Sequence, residues 1–181
     1  NADVIGKLVN IASRCSGFIH KNFDSKLTSV FAKNGKNVFE QAANKSDDIK
    51  NYYENRRYSE AVRAIMGLAD ITNQVIDAHK PWMLIKDKSK HNEVHQVCSF
   101  GLNMYLLLIS YLKPIMPELA EKSQAFLNTE IMWDKLASAK PLIEGHTINK
   151  FKPLITRIEQ QSIENVIEDS KKRSSTSSHK F

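Results

Sequence analysis

The sequence predicts an all-α domain, a helical bundle of about five helices. Three observations carry that prediction. Only 6 Gly and 5 Pro occur in 181 residues, which favours long helices over frequent turns. Apolar residues recur at steps of three and four along several long stretches, the period of one helical face. No set of alternating apolar and polar runs suggests a sheet. Apolar residues make up 41% and charged residues 25%, the balance of an ordinary globular domain.

The first helix is expected over 2–23. Val4, Leu8, Ile11, Cys15, Phe18 and Ile19 form its apolar stripe. At 100° per residue, Asp3, Lys7, Asn10, Arg14 and Lys21 fall together on the opposite side. A loop with a turn at Asn34–Gly35 follows over 24–36, then a polar helix over 38–56. The next helix, 59–78, starts with Ser59 as N-cap and buries Val62, Ile65, Leu68, Ala69, Thr72, Val75 and Ile76. Pro81 ends it by restricting Lys80.

Residues 81–91 are a lysine-rich connection. The helix expected over 92–112 carries SFGLNMYLLLISYL and is apolar around most of its circumference, which places it at the centre of the bundle. Pro114 and Pro117 interrupt it, and a short helix over 117–127 follows. The stretch 128–152 is irregular, punctuated by Trp133, Pro141 and Gly145. A last helix is expected over 158–170. The terminal KKRSSTSSHKF cannot bury a core, so the chain divides into a domain over 1–170 and a disordered polar tail or linker over 171–181.

The formal net charge is +6 and the pI about 9.2, a basic excess compatible with a polyanionic partner. Cys15 and Cys98 form neither a CxxC pair nor a disulfide framework, which points to a reducing, cytoplasmic location. The apolar run around 104–110 is too short to span a bilayer, and no signal peptide is visible, so no membrane partner is expected. The chain opens without Met and with helical periodicity near residue 3, as expected for a piece of a longer protein.

Chemistry-bearing patterns are few. His91 and His95 stand at i, i+4, but two ligands make no zinc site. No HExxH, Walker A, GxGxxG or GxSxG motif occurs, and acids such as Asp47 and Asp48 read as solvated surface. No catalytic residue, metal or cofactor is expected in this chain.

Two segments stand apart. NADVIGKLVNIASR places Asn10 and Arg14 four residues apart on one helix side, and HKPW sets Trp82 directly after a helix-stopping proline among Lys80, Lys86, Lys88 and Lys90. An amide, a guanidinium and an indole held together suit reading of an unstacked RNA base. On these residues alone two other readings stand beside that one. Asn10 and Arg14 fit a solvated helix face, and Trp82 fits a core residue closing the bundle end.

NADVIGKLVNIASRCSGFIHKNF resembles the start of the helical anticodon-binding domain of class I methionyl-tRNA synthetases. EAVRAIMGLADITNQVIDAHKPW, CSFGLNMYLLLISYLKPIMPELAEKSQAFLN, Trp133 and GHTINKFKPLITRIE follow in the same order, so the resemblance covers about residues 1–170. The bundle is shared with leucyl, isoleucyl, valyl and cysteinyl enzymes, the NIASR and KPW pairing is not.

The resemblance implies a tRNA-binding module that reads the CAU anticodon of methionine tRNAs. Trp82 would stack on a base, Asn10 and Arg14 would contact bases, Pro81 would set the tryptophan's loop, and Lys7 is a candidate phosphate contact. It further implies a parent enzyme that attaches methionine to tRNA with ATP and Mg, with zinc a further candidate in its catalytic domain. That catalytic domain, of the same polypeptide, carries HIGH-like and KMSKS-like motifs that do not occur here, so this chain alone is not expected to be catalytic. The alternatives are the equivalent domain of another class I synthetase and a helical protein-interaction module with no RNA role.

Overall fold

The computed structural model describes residues 2–131, 133–138, 140–152 and 157–177. Eight helices follow one another among them: α1 (Ala2–Asn22), α2 (Gly35–Ala43), α3 (Ser46–Glu54), α4 (Tyr58–His79), α5 (Pro81–Leu84), α6 (His91–Leu112), α7 (Pro117–Leu127) and α8 (Arg157–Ser177). No strand forms among the described residues, and Lys26 and Thr147 make an isolated antiparallel bridge. The all-α expectation is met.

α6 organises the bundle because its sequence leaves it almost no polar face. Phe100, Leu102, Met104, Tyr105, Leu108 and Tyr111 are all fully buried on it. α1, α4, α2 and α7 pack around it. From α1 come Leu8, Ile11, Cys15 and Ile19, the stripe the sequence defined, whereas the side chains of Asp3 and Val4 lie outside the described residues. From α4 come Val62, Ile65, Leu68, Ala69, Thr72 and Ile76, with Val75 half-buried.

Gly101 permits close approach of α1 to α6. A Cβ placed there would lie 2.5 Å from Cys15 Sγ and 3.2 Å from Ile76 Cδ1. The phenol of Tyr111 crosses the core to donate to the carbonyls of Ala42 at 2.7 Å and Ala43 at 3.1 Å.

Those bonds explain one departure from expectation. The polar helix over 38–56 is two helices, α2 and α3, with a break at Asn44 and Lys45. Tyr111 takes the carbonyls that end α2, and Asp47 and Asp48 sit in the first turn of α3, where a helix favours negative charge. Ser59 is not an N-cap. Arg57 stands at the N-cap position of α4 without a side-chain capping bond and pairs with Glu60, and the Ser59 N–H donates to Ser170 Oγ at 3.3 Å.

The connection over 81–91 contains a single α-helical turn, α5, and a 3₁₀ turn at Lys88–Lys90. Irregular segment 128–152 holds another 3₁₀ turn, Trp133–Ser138. At the C-terminus α8 runs past residue 170 to Ser177, so 171–177 are helical where the sequence suggested a structureless tail. The lysines and arginine there are good helix formers, and Lys172 pairs with Glu168 one turn earlier at 3.3 Å. The remaining tail residues, 178–181, lie outside the described residues.

Candidate nucleic-acid interface

The first helix and the fourth run side by side in the same direction. Lys7 Nζ lies 3.1 Å from Asp70 Oδ1, and Arg14 Nη1 lies 3.5 Å from Asp77 Oδ1. Both pairs are two helical turns apart on both helices, so the seam stays in register. The polar face of α1 therefore does not simply point at water: part of it edges α4.

Arg14 is held from three directions. Its Nη2 donates to Asn73 Oδ1 at 3.1 Å, Asp77 approaches Nη1, and the guanidinium carbon stands over the Trp82 ring, 5.8 Å from its centroid. That distance is within cation–π range. Its Nε is buried without a hydrogen-bond partner among the described residues. Asn10, one turn before Arg14, is exposed and has no hydrogen bond among the described residues.

Trp82 is aimed by the chain reversal before it. Lys80 alone links α4 to α5, in the left-handed region at φ 49° and ψ 62°, and its N–H still closes on Ile76 O at 3.1 Å. Pro81 occupies the first position of α5, where its missing N–H costs nothing, and it is buried. Trp82 is 39% exposed and Met83 54%. The loop expected around the tryptophan is thus a helical turn. Beneath it lies a narrow recess lined by Arg14, Cys15, Phe18, Ile76, Pro81, Trp82 and Cys98.

The structure therefore brings Arg14, Pro81 and Trp82 together and leaves Asn10 exposed on the helix beside them. Lys7 is exposed but engaged with Asp70. Asn73, Asp77 and Met83 were not singled out from the sequence. The signal was present for Asp77: Asp70 and Asp77 repeat the spacing of Lys7 and Arg14.

The floor of the recess is chemically quiet. The neighbouring Cys15 thiol, and burial after it, push the Cys98 thiol well above its ordinary value, so it stays a neutral thiol. The lysines around the turn are exposed, and Asp87 anchors their segment by accepting from Ser89 N and Oγ at 3.0 and 2.8 Å. Those bonds hold the Asp87 carboxyl below the usual range.

The histidine pair contributes no ligand set. His91 Nε2 lies 2.9 Å from Ile85 O and His95 Nε2 lies 2.7 Å from Lys26 O, with His95 stacked on Phe23. Among the described residues no group of three or more His, Cys, Asp and Glu could hold a metal ion, and no helix is long and apolar enough to cross a membrane.

Known proteins share this arrangement of segments. Residues 28–174 match the family model for the anticodon-binding domain of methionyl-tRNA ligase, a span that includes Pro81 and Trp82 but begins after Asn10 and Arg14. Methionine–tRNA ligases of Francisella tularensis subsp. holarctica and subsp. tularensis are each 47% identical over 174 residues, 95% of this chain and 25% of theirs. The chain thus spans about a quarter of the length of the curated relatives it matches.

Among solved structures, Mycobacterium tuberculosis methionyl-tRNA synthetase in its free form superposes with a TM-score of 0.77 at 18% identity, covering 87% of this chain and 33% of that one. The same enzyme with methionyl-adenylate gives 0.78 at 18% identity, covering 87% and 32%. At that identity the likeness speaks for the helical fold. The family model and the bacterial relatives speak for more: this chain belongs to the family of the anticodon-binding domain of methionyl-tRNA ligase.

Proposed function

We propose that this chain binds the anticodon loop of methionine tRNAs and reads CAU at the α1–α4–α5 corner. The observation that carries the reading is the Arg14 guanidinium held over a partly exposed Trp82 by Asn73 and Asp77. Single-strand readers stack splayed bases on aromatic rings and hydrogen-bond their edges. Trp82 is the stacking platform, partly exposed one residue after the buried Pro81. Asn10 offers one acceptor and two donors to a base edge. Arg14 offers a rigid fork that is already oriented, so little rotamer entropy is lost on binding. Lys7 adds positive charge along the same helix and serves a phosphate by exchanging Asp70 for it.

In a full-length protein the bound tRNA would extend to a catalytic domain of the same polypeptide. That domain would attach methionine using ATP and Mg, with any zinc held there and not by this chain. The similarity to proteins named methionine–tRNA ligase supports this assignment. Two buried free thiols on facing helices support a reducing cytosol as its place.

Replacement of Trp82 by alanine tests the reading. Stacking on an aromatic is worth on the order of 1–3 kcal/mol per base. The variant should keep its helical circular dichroism and bind a CAU-loop hairpin about 5- to 150-fold more weakly. Unchanged affinity in a folded variant would overturn the assignment.

A further inference from the structure

The loop between α1 and α2 has irregular backbone but is heavily tied. His95 Nε2 meets Lys26 O at 2.7 Å, and Leu27 pairs with the opposite segment through His146 O at 2.9 Å and Gly145 N at 2.8 Å. Thr28 N donates to Ser99 Oγ at 3.0 Å. The Glu144 carboxylate accepts from Thr28 Oγ1 at 2.9 Å, Ser29 N at 2.7 Å and Ser29 Oγ at 3.0 Å, bonds that hold its carboxyl below the usual range.

The far end of the loop is tied to the Trp82 turn. His79, the last residue of α4, lies with Nε2 3.2 Å from Lys33 O and Nδ1 2.9 Å from Glu93 Oε1. One imidazole thus joins the loop, α6 and the helix end that turns at Lys80 into Trp82. It carries the backbone of Lys33 to within one side chain of that turn, although 46 residues separate Lys33 from His79.

Uncompensated positive charge adds to these ties, as it does at Lys21, Lys86 and Lys88. Elsewhere many cations are neutralised: Lys7 by Asp70, Lys26 by Asp24, Lys36 by Glu40, Lys45 by Asp48 and Lys50 by Glu54. Lys33 and Lys80 are exposed and have no acidic partner among the described residues. The tie at the Lys33 carbonyl brings its backbone beside the helix end that continues into Lys80, and two exposed ammonium groups on neighbouring backbone suit a polyanion.

We propose that the 26–34 loop is a second RNA-contacting element, in which Lys33, with Lys80 beside it, takes a backbone phosphate of the RNA whose base stacks on Trp82, and His79 is the positioning residue that holds the loop there. This rests on the RNA-binding reading above and extends it to a segment outside the Asn10, Arg14 and Trp82 site. The seat recognises phosphate and not sequence, so its contribution is independent of the bases presented.

Salt dependence separates the two contributions. A lost phosphate contact lowers the slope of log affinity against log salt by about 0.7–0.9, while a lost stacking contact does not. Lys33→Gln should therefore bind a CAU-loop hairpin more weakly, and its affinity should change roughly threefold less than that of the unsubstituted chain between about 50 and about 200 mM salt. Lys50→Gln, on α3 and paired with Glu54, should leave the slope unchanged. Trp82→Ala should weaken binding with the slope intact.

Freed from its tie in a His79→Ala background, Lys33 should lose part of its effect, so Lys33→Gln should cost less there than alone. Lys33 is exposed, and a thermal melt confirms that its variant is folded. An unchanged slope for Lys33→Gln, with Trp82→Ala still weakening binding, would overturn the phosphate seat and leave base reading standing. Full additivity of His79→Ala and Lys33→Gln would overturn the positioning role. No loss for any variant would overturn both readings together.

Discussion

Arg14 is the residue whose replacement separates packing from recognition most finely. Truncation to alanine removes three contacts: the hydrogen bond to Asn73, the approach to Asp77 and the cation–π contact with Trp82. The hydrogen bond is worth about 1 kcal/mol and the cation–π contact about 0.5–1 kcal/mol. The side chains of Arg14 and Asp77 are 35% and 57% exposed, so solvent screening reduces their pairing to about 0.5 kcal/mol or less. The stability loss is therefore about 2 kcal/mol, a fall in Tm of about 4–8 °C for a chain of this size.

A charged hydrogen bond to RNA is worth more, about 1.5–3 kcal/mol, or roughly 10- to 150-fold in Kd. Arg14→Lys keeps the charge but has no planar fork to satisfy Asn73, Asp77 and a base together. It should melt close to the unsubstituted chain and still bind RNA almost as weakly as Arg14→Ala. Differential scanning calorimetry and fluorescence anisotropy on both variants give the comparison. Full affinity in Arg14→Lys would refute the fork argument. A Tm fall well beyond about 8 °C in Arg14→Ala would show that Arg14 supports the core, contrary to the ledger above.

Two further predictions concern the scaffold. Gly101→Ala places a methyl 2.5 Å from Cys15 Sγ and 3.2 Å from Ile76 Cδ1, so a neighbour at the α1–α6 contact must shift. Overpacking should cost about 1–3 kcal/mol, offset in part by the better helix propensity of alanine, and calorimetry should show a net loss; an unchanged or raised Tm would contradict the close approach.

Glu144 makes stability pH-dependent on the acid side. Its folded-state carboxyl is held below 4.5 by Ser29 N–H, Thr28 and Ser29 hydroxyls, so its stabilisation is present above that value and lost as pH falls through the lowered one. Glu144→Gln should lose stability at neutral pH and show a shallower decline below about pH 4.5. An identical acid limb in urea melts of both proteins would remove Glu144 from the account.

How much of this was legible beforehand follows from where each signal resides. α1, α4, α6 and α7 end within a residue or two of their expected bounds because their apolar repeat is strong and local. The break between α2 and α3 is tertiary: it depends on a phenol from α6 that no local pattern reveals. α5 is four residues long, too short to show any period. Ser59 looked like a cap because only the neighbouring residues were visible, whereas α4 begins one residue earlier, at Tyr58, and the Ser59 N–H turns to Ser170 on distant α8.

In the site, the proline after α4 argues for an exposed Trp82 but leaves a core placement standing beside it, and the structure has the ring 39% exposed. The setting of Arg14 was not legible. Its partners lie 59 and 63 residues away, and helical phase says only which side of α1 it occupies. The tie between His79 and Lys33 is of the same kind, a side chain closing on a distant carbonyl.

Fluorescence of Trp82 tests base reading most directly. The chain has 2 tryptophans, Trp82 and Trp133, and the second packs on Tyr53 and Tyr111, away from the α5 turn. With Trp133→Phe, emission reports Trp82 alone. Titration with a CAU-loop hairpin should quench that emission with the same midpoint as binding measured by anisotropy, and the same stem with a changed loop should quench it far less. Tight binding of the CAU hairpin with unchanged Trp82 emission would contradict the account.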